Sequence, residues 1–532
     1  MLPKKYPKRT ITEKHILIII LSLGLLARVI YFEYAENIIH PDEIIQYAEQ
    51  AHAEVFGYGL EPWEYRFEIR SWFLPATIST VLASLNQLGL SEPGIYTKVV
   101  RLIMSLASCS LILSCHRITK NCFPGIKNGP IIAALITAFW IEVVVYAPRA
   151  TPEVLASYAL CGAIAISTTQ GSSTKEKLTS GILIGLAAGL RYQYLPAITI
   201  LSILAVKKLR IRAITIILLG ILSSSLVIII VDSIKWGNPA KPLINNFRIN
   251  AIEGISSSFG IEPWSFYINQ ITTSSIYLIA TIIAIYPFAV FLNKKLSRDE
   301  CKRKSKNEIK SGNFYSLNNI LTAFAIAIVT IITHSIIPHK ELRFTFAVIP
   351  ITICLITGTT SHILESIHQK IEKIKKYAPS LLNYLCALFS PALIIYLAAR
   401  SWPNNFAMTY YKNLLSSSEP LAVTKYLRSL DNTSSILRLD ASRGYSGGYY
   451  YLHLNSRLYG KQNILKIKPE NFYQYFSHIV LKKGKEAPRY FEKVRDFTSS
   501  SIYLNTITKS DDLLTLDGYD KIHNNIDHKI ND

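Results

Sequence analysis

His40-Pro41-Asp42-Glu43 sets two carboxylates side by side shortly after an apolar run, Ile16 to Phe32. Pro41 restricts the residue before it and marks a turn, so Asp42 and Glu43 are expected to enter a helix over DEIIQYAEQAHAEVFGYG. Carboxylates at a helix N-terminus are stabilised by its exposed N–H groups. An acidic pair there needs no role beyond capping an amphipathic helix on a membrane surface. The same pair suits general-base chemistry, because a positioned carboxylate can take the proton of an attacking hydroxyl. The other loops decide between the two.

Those loops supply cations. APRATPE carries Arg149 and Glu153, RYQYLP carries Arg191 beside two Tyr, and IPHKELRF carries His339, Lys340, Glu341 and Arg343. The stretch from Asp232 to Tyr267 is rich in Asn, Gly, Ser and aromatics, an unusual mix for a plain connector. Taken singly, each Arg or Lys could snorkel to headgroups. Taken with the acidic pair, they suit one reaction class. A departing lipid phosphate needs cationic neutralisation, while the attacking sugar hydroxyl needs a base, and aromatic rings can stack on sugars. The combination predicts a glycosyltransferase that uses a polyprenyl-phosphate sugar. The seven Cys form no CxxC and no His/Cys ligand spacing, so no metal or redox motif is expected.

The elements that hold these loops follow from composition. Of 532 residues, 50% are hydrophobic and 17% charged, against roughly 25% charged in an average soluble protein. Apolar runs long enough to cross a hydrocarbon core of about 30 Å recur. Spans are expected at 16–32, 97–116, 130–147, 153–169, 179–192, 194–206, 213–231, 273–293, 317–337, 344–362 and 380–398, eleven in all. The first follows a basic start with no small-residue cleavage site after it, so it is expected to be retained. The net charge of +21 raises the possibility of nucleic acid, but its distribution excludes that reading. If 72–90 lies on the membrane without crossing it, six basic segments holding 26 Lys and Arg fall on one side, which the positive-inside rule makes cytoplasmic. The N-terminus is then cytoplasmic and the C-terminus extracytoplasmic. Residues 33–71, with nine Asp and Glu against two Arg, face outward. The expected domains are 1–399, a mainly α membrane domain, and 400–532, a small mixed α/β module outside, in which YSGGYYYLHL and NILKIKP suggest strands or turns.

At these residues the chain resembles the family 22 glycosyltransferases of the integral-membrane GT-C superfamily, and within them the branch that acts on GPI anchors. HPDE, then Gln46, His52 and VFGYG at 55–59, resembles the family's first lumenal loop, and Trp63-Glu64-Tyr65 and Arg70-Ser71 continue the match. Arg149, Thr151 and Glu153 resemble an RTxxNxxE pattern with altered spacing, and Asp232-Ser233 with Trp236-Gly237 a DS/FG segment. Asn246, Asn250, Trp264 and Tyr267 follow in the family's order, and HKELRF at 339–344 is close to HKExRF. The similarity runs over about residues 15–360. Where the family has an HPWHWY-like segment, this chain has Glu262-Pro263-Trp264-Ser265-Phe266-Tyr267, so both His are missing. That departure puts the sugar and the acceptor in question.

The resemblance implies an inverting transfer of mannose, or a related sugar, from a polyprenyl- or dolichyl-phosphate donor to a lipid-linked glycan acceptor, giving an α-glycoside. It implies no cofactor and no metal. Asp42 is the implied base, with Glu43 its competitor. His339, Lys340 and Arg343 are implied at the donor phosphate, with Arg149 and Arg191 as further candidates. His40, Trp63, Glu64, Arg70, Asp232, Asn246, Asn250, Trp264 and Glu341 are expected to bind substrate or organise loops. Two competing readings are a lipid-linked saccharide flippase, which would carry polar residues through its spans, and an inactive glycolipid-binding homologue. The Ile-, Lys- and Asn-rich composition suits a bacterial inner membrane, with the endoplasmic reticulum as the eukaryotic counterpart.

Overall fold

The computed structural model describes residues 12–206, 211–272, 279, 282, 316–375, 418–430, 433, 435–441, 445–455, 457–460, 476–488 and 491–505. The expected span at 380–398, nearly all of 273–293, the basic run 294–310 and NILKIKP lie outside these residues. The described residues fall into two compact units. One draws on Met1–Phe32, Glu68–Leu74 and Arg101–Lys412, the other on Glu33–Phe67, Pro75–Val100 and Asn413–Asp532.

The first unit is helical. Among the described residues, five helices are long and apolar enough to cross a membrane: Glu13–Tyr34 (α1), Pro93–Cys122 (α5), Ile211–Trp236 (α11), Leu317–Ser335 (α13) and Val348–Ile367, the start of α14 (Val348–Lys375). Pro152–Ser167 (α8), Thr174–Leu190 (α9) and Leu195–Val206 (α10) are shorter. Phe73–Gln87 (α4), which belongs to the second unit from Pro75 on, has 15 residues, about 22 Å of helix, which is less than a hydrocarbon core.

The expected single span at 130–147 is instead two helices, Gly129–Phe139 (α6) and Ile141–Tyr146 (α7), parted where Trp140 adopts an extended backbone. Such a break frees carbonyls that hydrocarbon cannot satisfy. Arg28, fully buried in α1, supplies donors there: its guanidinium reaches Ala138 O at 2.9 Å, Gly24 O at 2.7 Å and Ser108 Oγ at 2.6 Å. An arginine inside the first apolar run thus does local structural work.

Helices α9 and α11 pack almost backbone to backbone. A Cβ on Gly181 would lie 2.1 Å from Ile217 O, and one on Gly220 2.4 Å from Leu178 O. Small residues at such crossings let membrane helices approach closely. This contact fixes the far end of α9, where Arg191 sits.

The second unit holds a five-stranded sheet in the order β2-β1-β3-β5-β4. Its strands are Ser435–Arg438 (β1), Arg457–Gly460 (β2), His478–Lys482 (β3), Phe491–Asp496 (β4) and Ser500–Asn505 (β5). β1 runs parallel to β2 and β3, while β5 is antiparallel to β3 and β4. Glu419–Arg428 (α15) covers one face through Val423 and Leu427, which meet Ile436, Leu458 and Ile502. YSGGYYYLHL forms neither strand nor simple turn: Gly448–Leu452 is a short helix (α16). Gly447 and Gly448 take positive φ values of 89° and 56°, which admit glycine at little cost. The backbone N–H groups of Tyr449 and Tyr450 then donate to the Glu49 carboxylate at 3.2 and 2.9 Å.

The cap comes from the first loop, so this unit is not the C-terminal segment alone. Glu49 and His52 lie on Glu49–Phe56 (α2) and are fully buried. Glu49 also accepts from Leu60 N at 2.8 Å. Nδ1 of His52 faces Tyr58 O at 3.1 Å, so Nδ1 carries the proton and Nε2 accepts from Nδ1 of His453 at 2.9 Å. Nearby stand Tyr58, Tyr96 and Glu49, and Arg428 lies close to His453.

Two outcomes are expected. Replacing Arg28 by Met leaves the α6 carbonyls without donors and is expected to cost on the order of 2–4 kcal/mol, read as a lower melting temperature in detergent. Burial first, and His453 second, lower His52 from 6.5 to about 4. The unfolded chain therefore takes up this proton before the folded one, so the stability present above pH 6.5 is lost progressively as pH falls toward 4. Melting of the purified protein should occur at lower temperature near pH ~5 than near pH ~7.5, and His52→Asn should flatten that difference.

Candidate functional site

In the first unit, α8 begins at Pro152 with Thr151 extended before it, which puts Glu153 in the first helical turn. At the end of α9, Arg191 leaves helical geometry and leads into the single turn Tyr192–Tyr194. The two side chains, both buried, meet with Arg191 Nη1 2.9 Å from Glu153 Oε1. Glu153 also feels the charges of Arg343 and Arg70. The Phe344 ring lies under both Arg191, at 4.8 Å, and Arg343, at 5.4 Å. Arg191 pairs with Glu153 directly, and Arg343 and Arg70, from two other distant parts of the chain, act on that carboxylate through their charge.

The HKELRF segment is braced within the same unit. Glu341 accepts from Arg343 Nε at 2.6 Å and pairs with His339 Nε2 at 3.0 Å, while His339 Nδ1 faces Gly260 O at 3.2 Å. Lys340 directs its ammonium at three carbonyls, Glu262 O, Ile337 O and Pro338 O, at 2.9, 2.7 and 3.3 Å. Those bonds use all three ammonium protons, so in this arrangement Lys340 ties the loop together. Arg149 is buried, with its guanidinium against Val145 O and the hydroxyl and ring of Tyr31.

Asp232 caps the approach to α4: its Oδ1 accepts from Trp72 N at 2.7 Å and Ser71 Oγ at 3.0 Å. Asn246 accepts from the Tyr192 hydroxyl and from Asn250, and donates to Ile69 O at 3.2 Å. Trp264 is exposed.

Several buried polar atoms at this site have no hydrogen-bond partner among the described residues: Glu153 Oε2, Arg191 Nε, Thr151 Oγ1 and His334 Nε2. His334 lies near the end of α13, with Nδ1 2.8 Å from Thr330 O and Arg191 and Glu153 within electrostatic reach. Sequence reasoning passed over it, although a titratable residue inside the apolar run 317–337 was the signal. Buried unpaired donors and acceptors are costly, and mixed donors and acceptors in a cation-rich setting fit water or a hydroxyl-bearing anion. Among the described residues, no group of three or more His, Cys, Asp or Glu could hold a metal ion.

In the second unit, His40 O and Pro41 O accept from Glu43 N and Ile44 N at 3.2 and 3.1 Å, the turn expected of HPDE. The chain then enters a π-helical turn, Glu43–Ala48, an uncommon form enriched at functional sites. Glu43 is buried and Asp42 half-buried, and Asp42 makes no side-chain cap to the turn. Trp63–Arg66 (α3) braces this turn: Gln46 donates to Glu64 at 2.7 Å, and the Tyr65 hydroxyl donates to Gln46 O at 2.5 Å. His40 is half-buried beside Pro41, and the Trp63 ring stands 6.3 Å from Phe67.

Comparison with known proteins adds to this geometry. GPI mannosyltransferase 3 of Yarrowia lipolytica is 21% identical over 358 residues, 66% of this chain and 63% of that protein. GPI alpha-1,2-mannosyltransferase 3 of Mus musculus is 20% identical over 366 residues, 68% of this chain and 61% of that one. The chain thus spans less than two thirds of the length of these relatives. In architecture it is similar to ArnT from Cupriavidus metallidurans, solved bound to undecaprenyl phosphate, with a TM-score of 0.52, 10% identity, and 92% and 98% of the two chains covered. The profile of the Alg9-like mannosyltransferases matches residues 18–434. With its apolar helices and this match over most of its length, the chain belongs to the Alg9-like mannosyltransferase family.

Proposed function

We propose that this protein transfers mannose, or a related hexose, from a polyprenyl- or dolichyl-phosphate donor to a hydroxyl of a lipid-linked glycan, with inversion at the sugar. The observation that carries the reading is the buried Glu153–Arg191 pair, with Arg191 and Arg343 both set on the Phe344 ring, in an apolar helical unit. Cations held where water is scarce are suited to a phosphate that gains charge as its bond to the sugar breaks. The similarity to GPI mannosyltransferases supports the sugar and the class of acceptor. The undecaprenyl phosphate bound by ArnT supports the donor class.

In the proposed step the acceptor oxygen attacks C1 of the mannosyl group from the face opposite the phosphate. The C1–O bond to phosphate breaks, and its electron pair leaves with the lipid phosphate. A carboxylate takes the acceptor proton, and a β-linked donor yields an α-mannoside. Asp42 is the proposed base, since it is half-buried at the entry to the π-helical turn, whereas Glu43 is buried within it. Glu341, Lys340 and His339 hold the loop that presents Arg343. Asp232, Asn246 and Asn250 hold the loops around Arg70 and Tyr192, and Glu64 with Trp63 steadies the helix after Asp42. Catalysis on the extracytoplasmic face, an N-terminus inside and a C-terminus outside belong to the same reading.

The test supplies the protein in nanodiscs with radiolabelled polyprenyl-phosphate mannose and lipid-linked acceptors. Asp42→Asn is expected to lower turnover by about 10²–10⁴, and Glu43→Gln by less. Transfer from a nucleotide sugar with none from any lipid-phosphate sugar would overturn the donor assignment. Arg191→Met strands the Glu153 charge and should cost about 3–5 kcal/mol of stability. Adding Glu153→Gln should restore the melting temperature but not transfer, which separates the binding role from the structural one.

A further inference from the structure

The connection from α11 to 272 contains no helix long and apolar enough to cross a membrane, and it is not a plain polar loop. Its large apolar side chains stand outward: Ile244 59%, Phe247 59%, Ile252 70%, Phe259 57%, Ile261 72% and Trp264 70% exposed. Its inner side is polar and fixed. Buried Asn246, on Lys241–Phe247 (α12), bonds Ile69 O, and Lys241 meets Glu68 at 2.8 Å. So many outward apolar groups on a short stretch exceed what a water-facing loop of a monomeric protein carries.

Continuity identifies what covers them. Helix α11 is a span whose sides are largely unburied, and Ile229, Ile230 and Ile234 near its end are 44%, 50% and 81% exposed, as lipid-facing residues would be. A few residues later α12 begins, and the apolar surface resumes. Across the unit, Ile336 at the end of α13 is 77% exposed just ahead of the HKELRF segment. Aromatic and aliphatic groups on one side, with charged and amide groups on the other, are the pattern of an element lying in the bilayer interface.

The same stretch is stitched to the cation-bearing loop. Glu262 N donates to Pro338 O at 3.1 Å, Lys340 donates to Glu262 O at 2.9 Å, and His339 Nδ1 faces Gly260 O at 3.2 Å. Gly260 has φ 117°, a corner that L side chains rarely adopt. The outward pair Ile261 and Trp264 flanks the residue making the first two of these bonds.

We propose that residues 241–264 form a non-spanning paddle seated in the lipid interface, which holds the 338–344 loop at the depth where a long-chain lipid phosphate presents its headgroup. The seating is independent of the enzymatic reading; the link to the donor rests on it. The paddle sets the depth of the loop that carries Arg343.

The test uses the full-length protein in nanodiscs made with phospholipids brominated on the acyl chain. Tryptophan fluorescence should be quenched by these lipids, and Trp264→Phe should remove part of that quenching. Ile261→Trp should add to it. Quenching unchanged by either substitution, with iodide in water reaching Trp264, would put the paddle in solvent and overturn the proposal. Shielding of Trp264 from both quenchers would put a protein surface there and overturn it equally. For the donor link, Ile252→Asp and Ile261→Asp should raise KM about tenfold for a long-chain polyprenyl-phosphate mannose and leave a two-isoprene donor unchanged. An equal KM for both donors would break the link while leaving the seating intact. No transfer from either donor by the unaltered protein would refute the proposed function, with the quenching result still standing.

Discussion

A charge set among apolar helices has to be met by an opposite charge or by aimed dipoles, and the first unit is arranged around one such pair. Glu153 and Arg191 come from the start of one helix and the end of the next, so their contact fixes how α8 and α9 turn at that end. The glycine contact between α9 and α11 secures the other side of α9. Arg343 and Arg70 then have a carboxylate to converge on, and Phe344 lies under two guanidinium groups. Without Glu153, Arg191 would lose its carboxylate partner, while Arg343 would still pair with Glu341. Glu153 and Glu341 together let guanidinium groups sit in an apolar setting.

The second unit solves a related problem with a carboxylate and two imidazoles. Glu49 cannot remain buried without donors, and the N-terminal N–H groups of α16 provide them. His52 adds a bond that requires a neutral ring, so this contact depends on pH whereas the Glu49 cap resists acid until the carboxylate itself protonates. The first loop is held by these contacts, and the turn carrying Asp42 and Glu43 runs directly into the helix that makes them.

Much of this was legible in the sequence, for physical reasons that also mark where legibility ended. Long apolar runs read as spans because crossing a bilayer imposes length and composition locally. HPDE read as a turn into a helix because Pro41 acts on its neighbours. The 130–147 run read as one span because its composition is continuous; the break at Trp140 depends on Arg28, a hundred residues away, supplying donors. YSGGYYYLHL read as strand or turn because its aromatics favour strands, while the helix it forms depends on Glu49 arriving from the first loop. Asp232 could be assigned to sugar or to loop with equal reason, and its bonds to Trp72 N and Ser71 depend on a contact the local sequence does not encode. In each case the missing information was a polar group supplied from far along the chain.

That pattern bears on why the cluster is there. Buried ion pairs are weak evidence for stability, since well-packed apolar residues of similar volume often do as well or better. A helical bundle with no task at this end would be served by leucines in place of Glu153, Arg191 and His334. Instead it retains a cation-rich centre in which Glu153 Oε2, Arg191 Nε, Thr151 Oγ1 and His334 Nε2 lack partners among the described residues. Hydrogen-bonding capacity of mixed sign beside buried guanidinium groups is costly when left unmet. Ordered water or a polar, anionic group with hydroxyls of its own would offset that cost, and the sugar phosphate of the proposed donor is one such group.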